Sequence, residues 1–120
     1  MVIAVTVQGN DLQGQVDPRF GRAEHFLIVD SETMGFEVVK NEQNLSLPQG
    51  AGIQAAQTVA KNRAEVLLTG NCGPKAFKTL QAAGIKVVVG VNGRIEDVIQ
   101  AYLRGELHPA AAANVEGHWG

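Results

Sequence analysis

The chain has 120 residues, of which 45% are hydrophobic and 18% are charged. These values are typical of one globular domain, and the length leaves no room for two independent ones. Ten lysines and arginines against twelve acidic residues give a formal net charge of −2. Because no global basic field is available to hold a polyanion, we expect no nucleic-acid partner.

The single cysteine cannot form an internal disulfide. The first residues, Met1-Val2-Ile3-Ala4, lead directly into a strand pattern without the basic region or cleavage site of a signal peptide. No apolar run approaches the roughly 20 residues that span a bilayer. These features predict a cytoplasmic protein with no membrane partner.

The first half of the chain predicts three strands and two polar loops. Residues 2–7 are apolar almost throughout, as in a central strand covered on both faces. Residues 8–24 form a long polar loop. Residues 25–30 and 36–40 are predicted to pair as an antiparallel hairpin, and residues 41–52 form a second loop that contains glycine and asparagine.

The second half alternates helices with strands. The first helix has an apolar stripe that begins at Ile53, with Gln54 on its polar side. A strand over residues 65–69 then leads to a second helix. A strand over residues 85–89 follows, and a third helix ends at Gly105.

This element order predicts an α/β domain with three layers. Because crossover connections are right-handed, we expect a five-stranded mixed sheet in the order 3-2-1-4-5, with strand 2 antiparallel, and three helices. That order is the one of the ribonuclease H-like fold. The domain is predicted to span residues 1–105, and residues 106–120 to form a flexible C-terminal tail.

The strand order also predicts where a ligand binds. The chain leaves strands 1 and 4 in opposite directions, and open α/β sheets bind ligands at such a switch point. We therefore expect a crevice between Gln8-Gly9-Asn10 and Gly70-Asn71-Cys72. Gly70 and Gly73 permit close backbone approaches there, and Pro74 suits the first position of the following helix.

The expected crevice has a positive potential. Arg19, Arg22 and Lys75 lie at this end of the sheet, together with two helix N-termini near Gly52 and Pro74. The ligand class that this indicates is a compact anion, either phosphate-like or an anionic metal–sulfur species. An isolated arginine often only pairs with a neighbouring carboxylate, but the coincidence with two helix starts favours binding.

Cys72 and His25 are the candidate soft ligands. A helix N-terminus and Lys75 are expected to lower the pKa of the Cys72 thiol, which suits a metal or cluster ligand. The alternatives for Cys72 are a redox nucleophile or a packed thiol, and for His25 a hydrogen-bonded structural residue. His108 and His118 lie in the predicted tail and match no compact zinc spacing.

Catalytic groups are poorly represented. A ribonuclease H-type nuclease needs carboxylates that hold two metal ions, and the first strand has none. The chain also lacks the Gly-x-Ser-x-Gly pattern, the Walker lysine pattern and a second cysteine. A thiol enzyme built on Cys72 and His25 would have no third orienting group, so we expect no enzyme.

Five segments form a recognisable set of motifs: Asp17-Pro18-Arg19-Phe20-Gly21-Arg22-Ala23, His25-Phe26, Gly50-Ala51-Gly52-Ile53-Gln54, Thr69-Gly70-Asn71-Cys72-Gly73-Pro74-Lys75-Ala76 and Ala83-Gly84-Ile85-Lys86-Val87. In this order they resemble the dinitrogenase iron–molybdenum cofactor biosynthesis family, in particular its small stand-alone NifX/NifB-like domains. The resemblance covers roughly residues 1–105. It implies a ribonuclease H-like domain that binds, carries or protects iron–sulfur or molybdenum–iron–sulfur clusters during assembly.

One motif departs from the pattern of the dedicated nitrogenase cofactor carriers. They have His-Phe-Gly-x-Cys where this chain has Arg19-Phe20-Gly21-Arg22-Ala23, so two soft ligands are missing. One thiol cannot hold a four-cysteine cluster. Binding would need His25, a homodimer that shares two Cys72 thiolates, or capture of an anionic metal sulfide by amides and arginines.

The sequence thus predicts a non-enzymatic carrier or scaffold whose partners are metallocluster-assembly proteins. Its metal ligands are expected to be Cys72 and His25. The other expected cofactor-binding residues are Arg19, Phe20, Gly21, Arg22, Gly50, Gly52, Asn71, Gly73 and Lys75. The alternative is a sensor or regulatory module that binds a phosphate-bearing metabolite in the same crevice.

Overall fold

A computed structural model describes residues 1–47 and 50–116, so the prediction for His118 lies outside the described residues. The elements are β1 (Val2–Gln8), β2 (Gln15–Val16), β3 (His25–Asp30), β4 (Phe36–Lys40), α1 (Ala51–Lys61), β5 (Val66–Leu68), α2 (Pro74–Ala82), β6 (Lys86–Val88) and α3 (Ile95–Leu103). The α/β class with three helices is confirmed. In the described part of the chain, no helix combines the length and apolarity needed to cross a membrane.

The strands form one mixed sheet in the order β4-β3-β1-β5-β6. β3 is antiparallel to both β1 and β4, whereas β1, β5 and β6 run parallel. The short strand β2 lies within the predicted loop over residues 8–24 and pairs with the end of β1. A two-residue strand carries no periodic pattern, but it is fixed here because Val16 is buried in the core.

β1 lies in the middle of the sheet and is buried on both faces, as its apolar sequence predicts. Ile3, Val5 and Val7 belong to a core cluster that also contains the apolar face of α3. Ala4, on the opposite face, belongs to a second cluster that includes the apolar faces of α1 and α2. The helices therefore cover the sheet from both sides.

The chain's own backbone fills the position predicted for the crevice. The Asn71 N–H donates to the Pro18 carbonyl at 2.7 Å, and the Phe20 N–H donates to the Asn71 carbonyl at 3.1 Å. Thr6 Oγ1 donates to the Asp17 carbonyl at 2.8 Å. Residues 17–20 thus lie beyond the ends of β1 and β5 and close the switch point. The close approach predicted at Gly70 is confirmed, because a Cβ there would lie 2.7 Å from Pro18 Cα.

The segment after α3 contacts the domain. The Ala110 N–H donates to the Val87 carbonyl at 2.7 Å, which attaches the segment beside β6. The Asn114 side chain accepts from the Cys72 N–H at 2.9 Å and donates to the Gly70 carbonyl at 3.1 Å. No pattern in this part of the sequence predicted these contacts. The domain boundary at residue 105 and the flexibility of residues 106–120 in solution stay predictions.

Candidate functional site

A cleft of about 650 Å³ lies at the same end of the sheet, beside the closed switch point. Its walls are the turn before β3, the end of β4 with the loop that follows, and the first residues of α1. Of the residues predicted for the site, Gly21, Arg22, His25 and Gly50 line this cleft. The long loop and the second glycine loop therefore do meet, but without the Cys72 loop.

Positive charge predominates in the cleft. Its lining includes the cationic residues Arg22 and Lys40 against one acidic residue, Glu24. α1 begins at the cleft with Gly50 as its N-cap, and this end has neither a capping side chain nor an acidic residue in its first turn. The positive end of the helix dipole is thus not neutralised by the helix itself, which favours an anion there.

The turn at residues 21–24 has an excess of hydrogen-bond donors. The main-chain N–H groups of Gly21, Arg22 and Glu24 form no hydrogen bond with any residue in 1–47 or 50–116. Gly21 is buried, so water has little access to this part of the turn. Because buried N–H groups in folded proteins nearly always have a partner, the turn lacks acceptors that a bound anion would supply.

Two buried amide side chains hold the walls of the cleft. Asn41 Nδ2 donates to the carbonyls of Gly21 and Ala23 at 3.2 and 2.8 Å. Gln54, on α1, accepts from the Asn44 N–H at 2.7 Å and donates back to the Asn44 carbonyl at 3.1 Å. The loop after β4 is therefore fastened to the 21–24 turn at one end and to α1 at the other.

Three of these residues were not predicted from the sequence. Lys40 ends β4 and Asn41 follows it, and no motif marks either residue. Gln54 was assigned to the polar side of α1, yet it is only 8% exposed. Its position in the motif Gly50-Ala51-Gly52-Ile53-Gln54, next to a helix start, was the signal that could have identified it.

Several predicted site residues are internal. Phe20 has no exposed area, and its ring packs against Phe26 with centroids 5.8 Å apart. Gly52 is buried in the first turn of α1, and Gly73 is the buried N-cap of α2. These residues shape the domain beneath the surface and do not line the cleft.

The remaining predicted residues lie at or near the surface and do not line the cleft. Arg19 is exposed, and its backbone pairs with Asn71 in the bridge that closes the switch point. Lys75 is exposed in the first turn of α2. Neither basic side chain lines the cleft, so the structure separates Arg22 from the other two predicted charge partners.

The predicted lowering of the Cys72 pKa is wrong. The side chain has no exposed area, and burial raises the pKa of the thiol to about 12. Sγ donates to the Gly73 carbonyl at 3.7 Å, a hydrogen bond that favours the protonated thiol. Desolvation therefore outweighs the helix N-terminus and Lys75, whose charge is exposed to solvent.

The residues in the cleft do not fit a conventional coordinated metal. Among the described residues, no group of three or more His, Cys, Asp and Glu side chains is placed to hold a metal ion. His25 lines the cleft, whereas Cys72 does not. The chemistry that the cleft does supply is hydrogen-bond donation and positive charge, which suits an anion held as a whole.

The buried thiol has a consequence for alkaline stability. The unfolded thiol ionises near pH 9.0, whereas the folded thiol keeps its proton up to about pH 12. Between these values the folded state binds more protons, so the free energy of unfolding falls as pH rises, by on the order of 1 kcal/mol per pH unit. We expect urea unfolding above pH 9 to show this extra loss in wild type and not in Cys72→Ala. Equal pH slopes for the two proteins would contradict the burial of the thiol.

Comparisons with known proteins agree with the sequence motifs. The family model described as dinitrogenase iron-molybdenum cofactor matches residues 1–105. An uncharacterised protein of Methanocaldococcus jannaschii, MJ0580, is 30% identical over 110 residues, which is 89% of each chain.

Two solved structures are similar over nearly their whole length. The apo form of the orange protein (ORP) from Desulfovibrio gigas is 51% identical, covers 95% of this chain and 96% of its own, and has a TM-score of 0.89. A NifB-like protein from Thermotoga, TM1290, is 34% identical, with 97% and 98% coverage and a TM-score of 0.80. The resemblance stated from the sequence is confirmed. The chain belongs to the dinitrogenase iron-molybdenum cofactor family.

Proposed function

We propose that the protein is a non-enzymatic carrier or scaffold for an anionic iron–sulfur or molybdenum–iron–sulfur cluster. The cluster is cargo, held in the cleft between the 21–24 turn and the N-terminus of α1. The observation that carries the proposal is the set of unpartnered N–H groups in a turn whose side chains include Arg22. Membership in a cofactor-biosynthesis family supports the choice of cargo.

Capture relies on hydrogen bonds and charge. The N–H groups of the 21–24 turn donate to sulfide or oxo groups of the cargo, and Arg22 and Lys40 balance its negative charge. His25 is close enough to the cleft to add an imidazole donor or ligand. Because no thiolate–metal bond holds the cargo, it is released to an acceptor without breaking one, which suits a carrier.

The wider proposal follows from this site. Exposed Arg19 and Lys75 contribute to the field that attracts the anion, and the partners are metallocluster-assembly proteins in the cytoplasm. The fold is proposed to be ribonuclease H-like, with the strand order β4-β3-β1-β5-β6 as its support. A homodimer that shares two Cys72 thiolates is not part of the proposal, since both thiols would be buried.

Anaerobic reconstitution with iron, sulfide and molybdate tests the function. We expect the protein to retain visible charge-transfer absorption after desalting, and the free energy of unfolding to rise because the cargo binds only the folded state. A colourless protein that is stabilised by nucleotides or inorganic phosphate would favour the alternative of a sensor for phosphate-bearing metabolites. A protein with neither response would contradict both.

A further inference from the structure

We infer that Asn41 is the positioning residue that aims the main-chain donors of the 21–24 turn. The inference rests on the proposed function, because it concerns how the same cleft holds an anion. Asn41 is 8% exposed and does not itself need to touch the cargo. It acts through the backbone on either side of Arg22.

Every hydrogen-bonding group of the Asn41 side chain is used. Its Nδ2 group donates to the carbonyls of Gly21 and Ala23 at 3.2 and 2.8 Å, which accounts for both of its hydrogens. Its Oδ1 accepts from Gln43 Nε2 at 2.8 Å. Its own N–H donates to the Glu24 carbonyl at 2.9 Å, which fixes the amide relative to the turn.

These contacts set the direction of two N–H groups. In a trans peptide the carbonyl and the N–H point in opposite directions. The Gly21 carbonyl shares a peptide with the Arg22 N–H, and the Ala23 carbonyl shares one with the Glu24 N–H. With both carbonyls held toward Asn41, the N–H groups of Arg22 and Glu24 point away from it. Neither N–H has an acceptor among the described residues.

The same contacts remove an obstacle to anion binding. A carbonyl oxygen carries partial negative charge, and one that turned toward the cleft would repel the cargo. Asn41 keeps two such oxygens occupied and leaves the donors of the same peptides available. Without the amide, the turn is free to rotate these peptides, so the donors are no longer preorganised and binding weakens.

The test is an amide NMR titration of the full ¹⁵N-labelled chain with molybdate as the anion probe. In wild type we expect saturable shifts at Arg22 and Glu24, and also at residues 51–53 in the first turn of α1. In Asn41→Ala we expect the shifts at Arg22 and Glu24 to be lost, those at residues 51–53 to persist, and the affinity to fall about tenfold. If Asn41 only stabilised the fold, its replacement would not remove the shifts at Arg22 and Glu24 while those at residues 51–53 persist.

Asn62→Ala is the matched control, since Asn62 Nδ2 also donates to a main-chain carbonyl, that of Thr58, at 2.8 Å at the far end of α1. It should bind molybdate like wild type. If Asn41→Ala does not give a folded spectrum, Asn41→Ser retains one donor and should show a partial loss at Arg22 and Glu24. An Asn41 variant with both sets of shifts and wild-type affinity would overturn the inference. Absence of saturable shifts in wild type would instead overturn the proposed anion site.

Discussion

Replacement of Arg22 by glutamine is expected to weaken the retention of reconstituted cluster by about tenfold to a hundredfold. The Arg22 side chain lines the cleft next to the unpartnered N–H groups of its own turn. A charge-assisted hydrogen bond contributes about 1.5–3 kcal/mol, and each factor of ten in affinity corresponds to about 1.4 kcal/mol. Glutamine keeps a polar side chain of intermediate length but removes the charge. The measurement is visible absorbance per protein after desalting over a range of cluster concentrations.

Arg19→Gln is the matched control for this experiment. Arg19 lies only three residues earlier in the chain and is exposed, but its side chain does not line the cleft. Since long-range attraction between exposed charges is screened by salt, its loss should change retention by about twofold or less at physiological ionic strength. Equal losses for the two variants, or a larger loss for Arg19→Gln, would contradict the placement of the cargo beside Arg22.

Gly70→Ala is expected to destabilise the fold by about 3 kcal/mol, near the upper end of the range for overpacked interior positions. A Cβ at this position would lie 2.7 Å from Pro18 Cα and 2.8 Å from the Pro18 carbonyl oxygen. Both atoms belong to backbone, which cannot move aside as the end of a long side chain can. The alanine variant must therefore displace the segment that closes the switch point. Urea unfolding of both proteins measures the difference.

Gly50→Ala provides the comparison for Gly70→Ala. No atom lies within 4 Å of the position that its Cβ would occupy. Gly50→Ala should therefore lower the free energy of unfolding only by the amount that alanine costs at a helix N-cap, about 1 kcal/mol or less. A Gly70→Ala protein no less stable than Gly50→Ala would show that residues 17–20 do not pack against the loop after β5 as described.

The elements of the fold were predictable because their signals are local. The hairpin strands begin and end at the predicted residues, His25–Asp30 and Phe36–Lys40. The closure of the switch point was not predictable in the same way. It depends on Pro18 meeting Asn71, residues that are far apart in the chain and share no periodic pattern. The sequence indicated a close approach at Gly70 but not which segment makes it.

The candidate site was predictable only in part, because some of its residues act through contacts with segments that are distant in the sequence. Arg22 was identified because its charge suits an anion, and His25 because an imidazole at this end of the sheet is a candidate metal ligand. The role of Asn41 depends on two main-chain carbonyls of another loop, for which a sequence has no signature. The prediction for Cys72 used only its neighbours in the chain. The burial that raises its pKa comes from packing among Phe20, Phe77 and other core residues, a non-local property.

Anaerobic reconstitution of Cys72→Ala beside wild type tests most directly whether the cleft captures its cargo without the thiol. Iron, sulfide and molybdate are added to both folded proteins, and the visible absorbance per protein is measured after desalting. Capture by the 21–24 turn and Arg22 predicts the same absorbance in both. A Cys72→Ala protein that is folded but colourless, next to a coloured wild type, would contradict this account and make the thiol the cluster ligand.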